Sequence, residues 1–211
     1  MAVYAFFECT MPSCRLRFPL DKQKFKGEYC PSCGGKLLEV ASELEMTPAP
    51  ARRAVPKWRI YGVLDNIRSA HNVGGIFRTA DGAGVVHLYL CGITPTPDVH
   101  PELSKSALGA EQVVPWSAHA NALEVAKDLR AEGVFLLALE HTEGAVPIQD
   151  FSLSGHEHQV FALIVGHERA GVDPVLLNLC DAIVALPMSG HKRSLNVMVA
   201  FGVAAFWLAF Q

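Results

Sequence analysis

Ser189–Phe210 reads SGHKRSLNVMVAFGVAAFWLAF, and its two ends follow different rules. From Val197 onward almost every residue is apolar, as in a helix buried on all sides. Ahead of that run stand His191, Lys192, Arg193, Ser194 and Asn196. Polar groups gathered where a chain enters its own core either cap a helix or line a site.

Working outward, the preceding sequence alternates between two patterns. IYGVL (60–64), VHLYLC (86–91), VFLLALE (134–140), QVFALIVG (159–166) and AIVALP (182–187) are short apolar runs that read as buried strands. Val73, Ile76, Phe77 and Ala80 recur at helical spacing, as do Ala122, Val125, Ala126 and Leu129 before Gly133. A short helix is expected around Val175–Leu179, and residues 93–111 read as loop. This order predicts an α/β fold on a mostly parallel sheet.

Such sheets bind ligands beyond the C-terminal ends of their strands. Three loops fall there: LEHTEG (139–144), VGHERAG (165–171) and LPMSG (186–190). Each joins glycine to polar side chains. HNVGGIFR (71–78) does not match the glycine fingerprint of dinucleotide sites, and no Walker phosphate loop is present.

Whole-chain properties narrow the class. The chain has 211 residues, 50% hydrophobic and 18% charged, so one medium domain with a real core plus a small appendage is expected. A formal charge of −3 argues against coating nucleic acid by bulk electrostatics. MAVYAFFECT lacks the cationic start of a secretory signal, and Val197–Phe210 is short for a membrane span. A cytoplasmic protein is expected, with no membrane partner.

Four of the six cysteines fall early, as two pairs: Cys9 with Cys14, and Cys30 with Cys33. Two such pairs can place four thiolates around a structural Zn²⁺, and a segment of this size needs a staple to fold. Disulfides are the competing reading and do not suit a cytoplasmic chain. Cys91 and Cys180 stand alone in apolar sequence as buried thiols. Residues 1–40 are therefore expected to form a unit resembling a zinc ribbon, 41–57 a proline-rich linker and 58–211 the main domain. Arg52, Arg53, Lys57 and Arg59 make the linker's second half basic, either as solvated charge or as a contact to a phosphate backbone.

Three segments carry a resemblance. NIRSAHNVGGIFRTADGAG (66–84), LIVGHERAGV (163–172) and LPMSGHKRSLNVMVA (186–200) closely resemble, in this order, the signature motifs of the SpoU/TrmH-like RNA ribose methyltransferases of the SPOUT superfamily. The resemblance extends over about 59–211. It implies an α/β fold with a C-terminal deep trefoil knot, S-adenosylmethionine (SAM) held in the knot loops, an RNA substrate (tRNA or rRNA) and a homodimer sharing its active site.

Site residues follow by the same resemblance. Arg78 matches the first motif's arginine; a guanidinium stays protonated, so it is expected to clamp RNA phosphate or a nascent alkoxide rather than act as a base. Asn72 would hold the loop or the ribose, and Glu168 would orient Arg78 or the catalytic loop. Ser194 and Asn196 would act near the ribose and the methionine end of SAM. Backbone at Leu139, Glu140, Gly166, Leu186 and Met188 would contact SAM, with Val165 and Leu195 packing the adenine. Taken singly, Asn72 and Ser194 also read as helix caps, Arg78 as a surface charge and Glu168 as a loop acid.

The second motif reads GHE where GNE is common, which puts a histidine, His167, in an asparagine's place. Lys105, in KSALGAE, is either a phosphate contact or a solvated lysine. Two alternatives remain open: a base methyltransferase of SPOUT type, and a knotted RNA-binding protein without catalysis.

Overall fold

The computed structural model describes residues 3–25, 27–43, 54–155 and 160–211. Two compact units result, Met1–Arg53 and Ala54–Gln211. Most of the expected linker, including Arg52 and Arg53, lies outside the described residues.

The first unit is a three-stranded antiparallel sheet of β1 (Tyr4–Cys9), β2 (Arg17–Asp21) and β3 (Leu37–Ser42), ordered β2-β1-β3. Its core is tiny: Cys9, Cys30 and Leu37 are buried, with Phe7, Cys14, Phe18, Leu20 and Phe25 packed around them. So little apolar burial cannot offset the ordering of some forty residues. Something beyond hydrophobic packing has to hold this unit.

The second unit runs β4 (Arg59–Asp65), α1 (Ala70–Ala83), β5 (His87–Cys91), α2 (Ser104–Ala107), β6 (Trp116–His119), α3 (Ala122–Ala131), β7 (Phe135–Leu139), β8 (Val146–Pro147), β9 (Val160–Val165), α4 (Pro174–Leu177), β10 (Ala182–Ala185) and α5 (Val197–Phe210). The strands form one seven-stranded sheet, β6-β5-β4-β9-β7-β10-β8, with every pairing parallel. The expected strands and long helices are all present. The stretch 93–111, expected as loop, instead holds helical turns, α2 among them, that pack on α1.

Side-chain alternation along the central strands divides the core. Phe161, Leu163 and Val165 of β9 join the cluster under α1 and α5, whereas Ala162 and Ile164 join the one under α3 and α4. Helix α1 starts at Ser69, whose hydroxyl accepts the Asn72 N–H, and stops at Gly84 in the left-handed region (φ 73°). Gly75 lets α5 approach α1: a Cβ there would strike the Met198 side chain.

Helix α5 departs from the all-round burial that its composition suggests. Phe201, Ala204, Ala205, Leu208 and Ala209 enter the core, while Val199, Val203, Phe206 and Phe210 are each about two-fifths exposed along the other side. A single chain thus leaves an apolar stripe in water. Among the described residues no helix is long and apolar enough to cross a membrane.

Candidate active site

β9, β7 and β10 are neighbours in the sheet, so the loops leaving their C-terminal ends meet. Between them lies a cavity of about 350 Å³, within the usual range for small-molecule sites. Leu139, Glu140 and His141 line it from β7, Val165–Arg169 and Gly171 from β9, and Ala185, Leu186 and Arg193–Val197 from β10 and the approach to α5. At Gly166 a Cβ would collide with the Gly171–Val172 backbone, so the loop can fold tightly on itself only around glycine.

Of the residues expected to contact a cofactor, Leu139, Glu140, Val165, Gly166, Leu186 and Leu195 line this cavity, and Met188 does not. Glu168, Ser194 and Asn196 also line it. Arg193, one of the polar residues ahead of α5, lines it too, as do His141, Arg169 and Gly171, which were not singled out from sequence. Their only mark was a place in glycine-bearing loops.

A hydrogen-bond chain crosses the three motif segments. Asn196 Nδ2 donates to Asn72 Oδ1 at 3.1 Å, and Asn72 Nδ2 donates to Glu168 Oε1 at 2.9 Å. Glu168 also accepts from the backbone N–H of Arg68 (3.0 Å) and Ser69 (3.1 Å). Asn196 Oδ1 in turn accepts the Met198 N–H at 2.8 Å, capping α5.

These contacts sort the competing readings. Ser69 caps α1, and Asn72, in the helix's first turn, sits buried as the link between two other motif residues. Asn196, not Ser194, caps α5. Glu168 binds the entrance of α1, where a negative charge suits the free N–H groups and the helix dipole. Burial works to raise its pKa, yet the donors at Arg68, Asn72 and Ser69 outweigh that and hold the carboxyl below its ordinary range.

Arg78 stands elsewhere. It is exposed and lines a second groove, between α1, α2 and α5, with His71, Lys105, Ser106 and Met198. The two hollows flank the first turn of α5: Val197 and Ala200 face the first, Met198 and Val199 the second.

Beneath the loops lies Asp65, a buried carboxylate that sequence did not flag. It accepts from Asn66 Nδ2 at 2.7 Å and from the Asp173 N–H at 3.2 Å, fixing where α4 begins. Burial raises its pKa. The lone cysteines are passive: burial pushes Cys91 and Cys180 up to about 12.

In the first unit the Sγ atoms of Cys9, Cys14, Cys30 and Cys33 lie within 4.8 Å of one another, with Cys9–Cys33 at 3.4 Å and Cys14–Cys30 at 3.8 Å. All six cysteines of the chain are free thiols. A tetrahedral thiolate site with Zn–S of about 2.3 Å needs sulfurs roughly 3.8 Å apart. Backbone N–H groups also point at the sulfurs, as Gly35 N does at Cys33 Sγ (3.4 Å). Burial opposes ionisation of Cys30, but N–H groups of Cys33 and Ser32 bring its pKa down to about 7. The donor set fits a thiophilic divalent ion.

The family model for the SpoU rRNA methylases matches residues 59–206. The chain is 31% identical over 143 residues to the 23S rRNA (guanosine-2'-O-)-methyltransferase RlmB of Burkholderia sp, covering 68% of this chain and 56% of that protein. It is 34% identical over 147 residues to the protein of that name from Pseudomonas syringae pv. tomato, covering 68% and 55%. The chain thus spans little more than half the length of these curated relatives. Among solved structures, the AdoMet-bound rRNA methyltransferase from Sinorhizobium meliloti matches with TM-score 0.65 and 28% identity, over 76% of this chain and 59% of that one. The A. aeolicus TrmH/SpoU tRNA modifying enzyme shares the fold, with TM-score 0.64 and 24% identity over 75% and 78%.

Proposed function

Because the chain belongs to the SpoU rRNA methylase family, we propose that it transfers a methyl group from SAM to a ribose 2′-hydroxyl of a structured RNA, rRNA or tRNA. The observation that carries this reading is the Asn196–Asn72–Glu168 chain beside the cavity of the three loops. It joins the three motif segments where cofactor and ribose would meet. SAM, when bound, supplies a methyl group on a sulfonium whose departure leaves a neutral thioether.

The protein's share of the work is then placement. Leu139, Glu140, Val165, Gly166, Leu186 and Leu195 form the walls that would hold SAM, and Met188 lies outside that lining. Asn196 and Ser194 also line the cavity, where they would meet the ribose. Arg78 and Lys105 supply positive charge in the neighbouring groove for RNA phosphate. Arg78 lines no part of its own chain's cofactor cavity, which suits an active site shared across a homodimer. The exposed stripe of α5 beside that groove supplies a surface for the partner copy. The same reading includes a deep trefoil knot of the loops after β7, β9 and β10. It also includes a zinc ribbon over 1–40 on a 41–57 linker, a catalytic domain over 58–211, and a cytoplasmic location.

Incubating the purified protein with methyl-labelled SAM and bulk RNA tests this. Label should enter RNA and, after alkaline digestion, remain in dinucleotides, because a methylated 2′-oxygen cannot attack its phosphate. Label recovered in mononucleotides would move the reaction to a base. SAM binding without transfer to any RNA would favour the non-catalytic reading.

A further inference from the structure

The second motif's histidine makes a contact that no other described side chain in these loops makes. His167 Nδ1 accepts two backbone N–H groups of its own loop, from Arg169 at 3.0 Å and Ala170 at 3.1 Å. The loop closes on itself at the same point: His167 N donates to Gly171 O at 3.0 Å, and Gly171 N to His167 O at 2.8 Å. This five-residue turn carries Glu168 directly after its first residue and forms one wall of the cavity.

An imidazole nitrogen can accept only while it carries no proton. The geometry therefore needs a neutral ring with its hydrogen on Nε2. An asparagine Oδ1 at this position could take the same two N–H groups, as side-chain amides do in local turns. The difference is that an amide has no proton to gain near neutrality, whereas histidine does.

We propose that His167 is a positioning residue whose unprotonated Nδ1 sets the 167–171 turn, so that the grip on SAM is lost on acidification. The inference rests on the reading of the cavity as a SAM site. Protonation would turn the acceptor into a donor facing two other donors. The turn would open, taking with it the cavity wall and the base of Glu168. Acidic groups are not lacking around the ring, for Glu140 and Glu168 share the cavity with it. Asp173 borders Asp65 beneath the loops, and Arg169 and Arg193 line the same cavity. Protonation removes the acceptor, whatever the surrounding charge.

SAM affinity at about pH 8 and about pH 5.5 tests the idea in wild type, His167→Asn and His167→Ala. Wild type should weaken by about tenfold on acidification, the worth of one good hydrogen bond. His167→Asn should bind much as wild type does at the higher pH and change little at the lower. His167→Ala should be weaker at both. Imidazole ¹⁵N shifts of the apo protein supply a readout that needs no SAM, and should show the Nε2–H tautomer at about pH 8. A protonated Nδ1 there, or an acid loss in His167→Asn equal to that of wild type, overturns the proposal. The expected tautomer in a protein that binds no SAM at either pH would support the role in the turn and remove the reading of the cavity.

Discussion

Asn196 and Asn72 meet side chain to side chain at 3.1 Å, although 124 residues separate them. One caps α5 and the other lies in the first turn of α1, so the contact pins the starts of two helices together. Asn72 then passes the constraint to Glu168. Three polar side chains thus fix how the third motif sits against the first and second. Asn196→Ala should consequently damage both functions, raising the Kd for SAM about tenfold and lowering turnover further. Calorimetry with SAM and single-turnover methyl transfer measure the two effects. Intact SAM affinity in the variant would mean that the cap and the cofactor wall are independent.

Glu168 offers a prediction with a sign in pH. Its folded pKa is depressed, so its contribution to stability is present above the ordinary carboxylate pKa and lost as pH falls through the folded value. Glu168→Gln keeps one acceptor oxygen but loses the second, and should cost about 1 kcal/mol at neutral pH, the size of an ordinary N-cap. The Tm gap between wild type and variant should narrow as pH falls below the ordinary carboxylate range. A gap that persists unchanged at low pH would show that shape, not charge, is what Glu168 contributes.

The sequence exposed the core more readily than the site. Strands such as Val160–Val165 are buried on both faces, so they appear as unbroken apolar runs, and Val73, Ile76, Phe77 and Ala80 mark one face of α1. β6 (WSAH) escaped because it is a short edge strand with polar residues, and β8 because it has two residues. The turns around α2 sit in proline-rich sequence with no helical period and exist because α1 offers them a surface. Strand order is set by long-range pairing and leaves no local mark. At the site, the family motifs picked out Asn72, Glu168 and Asn196, but residue type could not tell a cap from a link. That distinction depends on which partner lies within hydrogen-bond reach.

Zinc should be present in the purified protein at one ion per chain, held by Cys9, Cys14, Cys30 and Cys33. Cys30→Ala should abolish zinc binding and unfold the first unit, since its apolar core cannot hold it alone. The residues lining the proposed SAM cavity all belong to the second unit, so SAM affinity should stay within about twofold while RNA affinity falls. Elemental analysis, proteolysis of the first forty residues and RNA titration read these separately. A metal-free preparation with a protease-resistant first unit would remove the metal from the account.

Assembly is tested on α5. Val203 and Phe206 lie on its exposed stripe and line the groove of Arg78. A homodimer through this face would be split by Val203→Glu, because burying an unpaired carboxylate costs several kcal/mol. Light scattering should give a dimer for wild type and a monomer for the variant, with methyl transfer lost and SAM binding kept. A wild-type monomer at micromolar concentration would leave the shared active site without a basis.

Arg78 separates catalysis from cofactor binding. Its side chain is exposed, lines the groove on the far side of the first turn of α5, and is absent from the cavity walls. Arg78→Ala should leave the Kd for SAM within about twofold, since no cofactor contact is removed. Methyl transfer should fall by about a hundredfold or more, because the charge proposed to hold the phosphate and steady the ribose oxygen would be gone. Arg78→Lys should recover little of it: an ammonium restores the charge but not the planar fork that grips two oxygens at once. Single-turnover transfer to RNA, measured beside calorimetry with SAM, distinguishes these outcomes. Near-normal turnover in Arg78→Ala would overturn the mechanism and leave the fold and cofactor site standing. A parallel loss of SAM binding would instead place Arg78 in the cavity's own support, through the α1–α5 packing it borders.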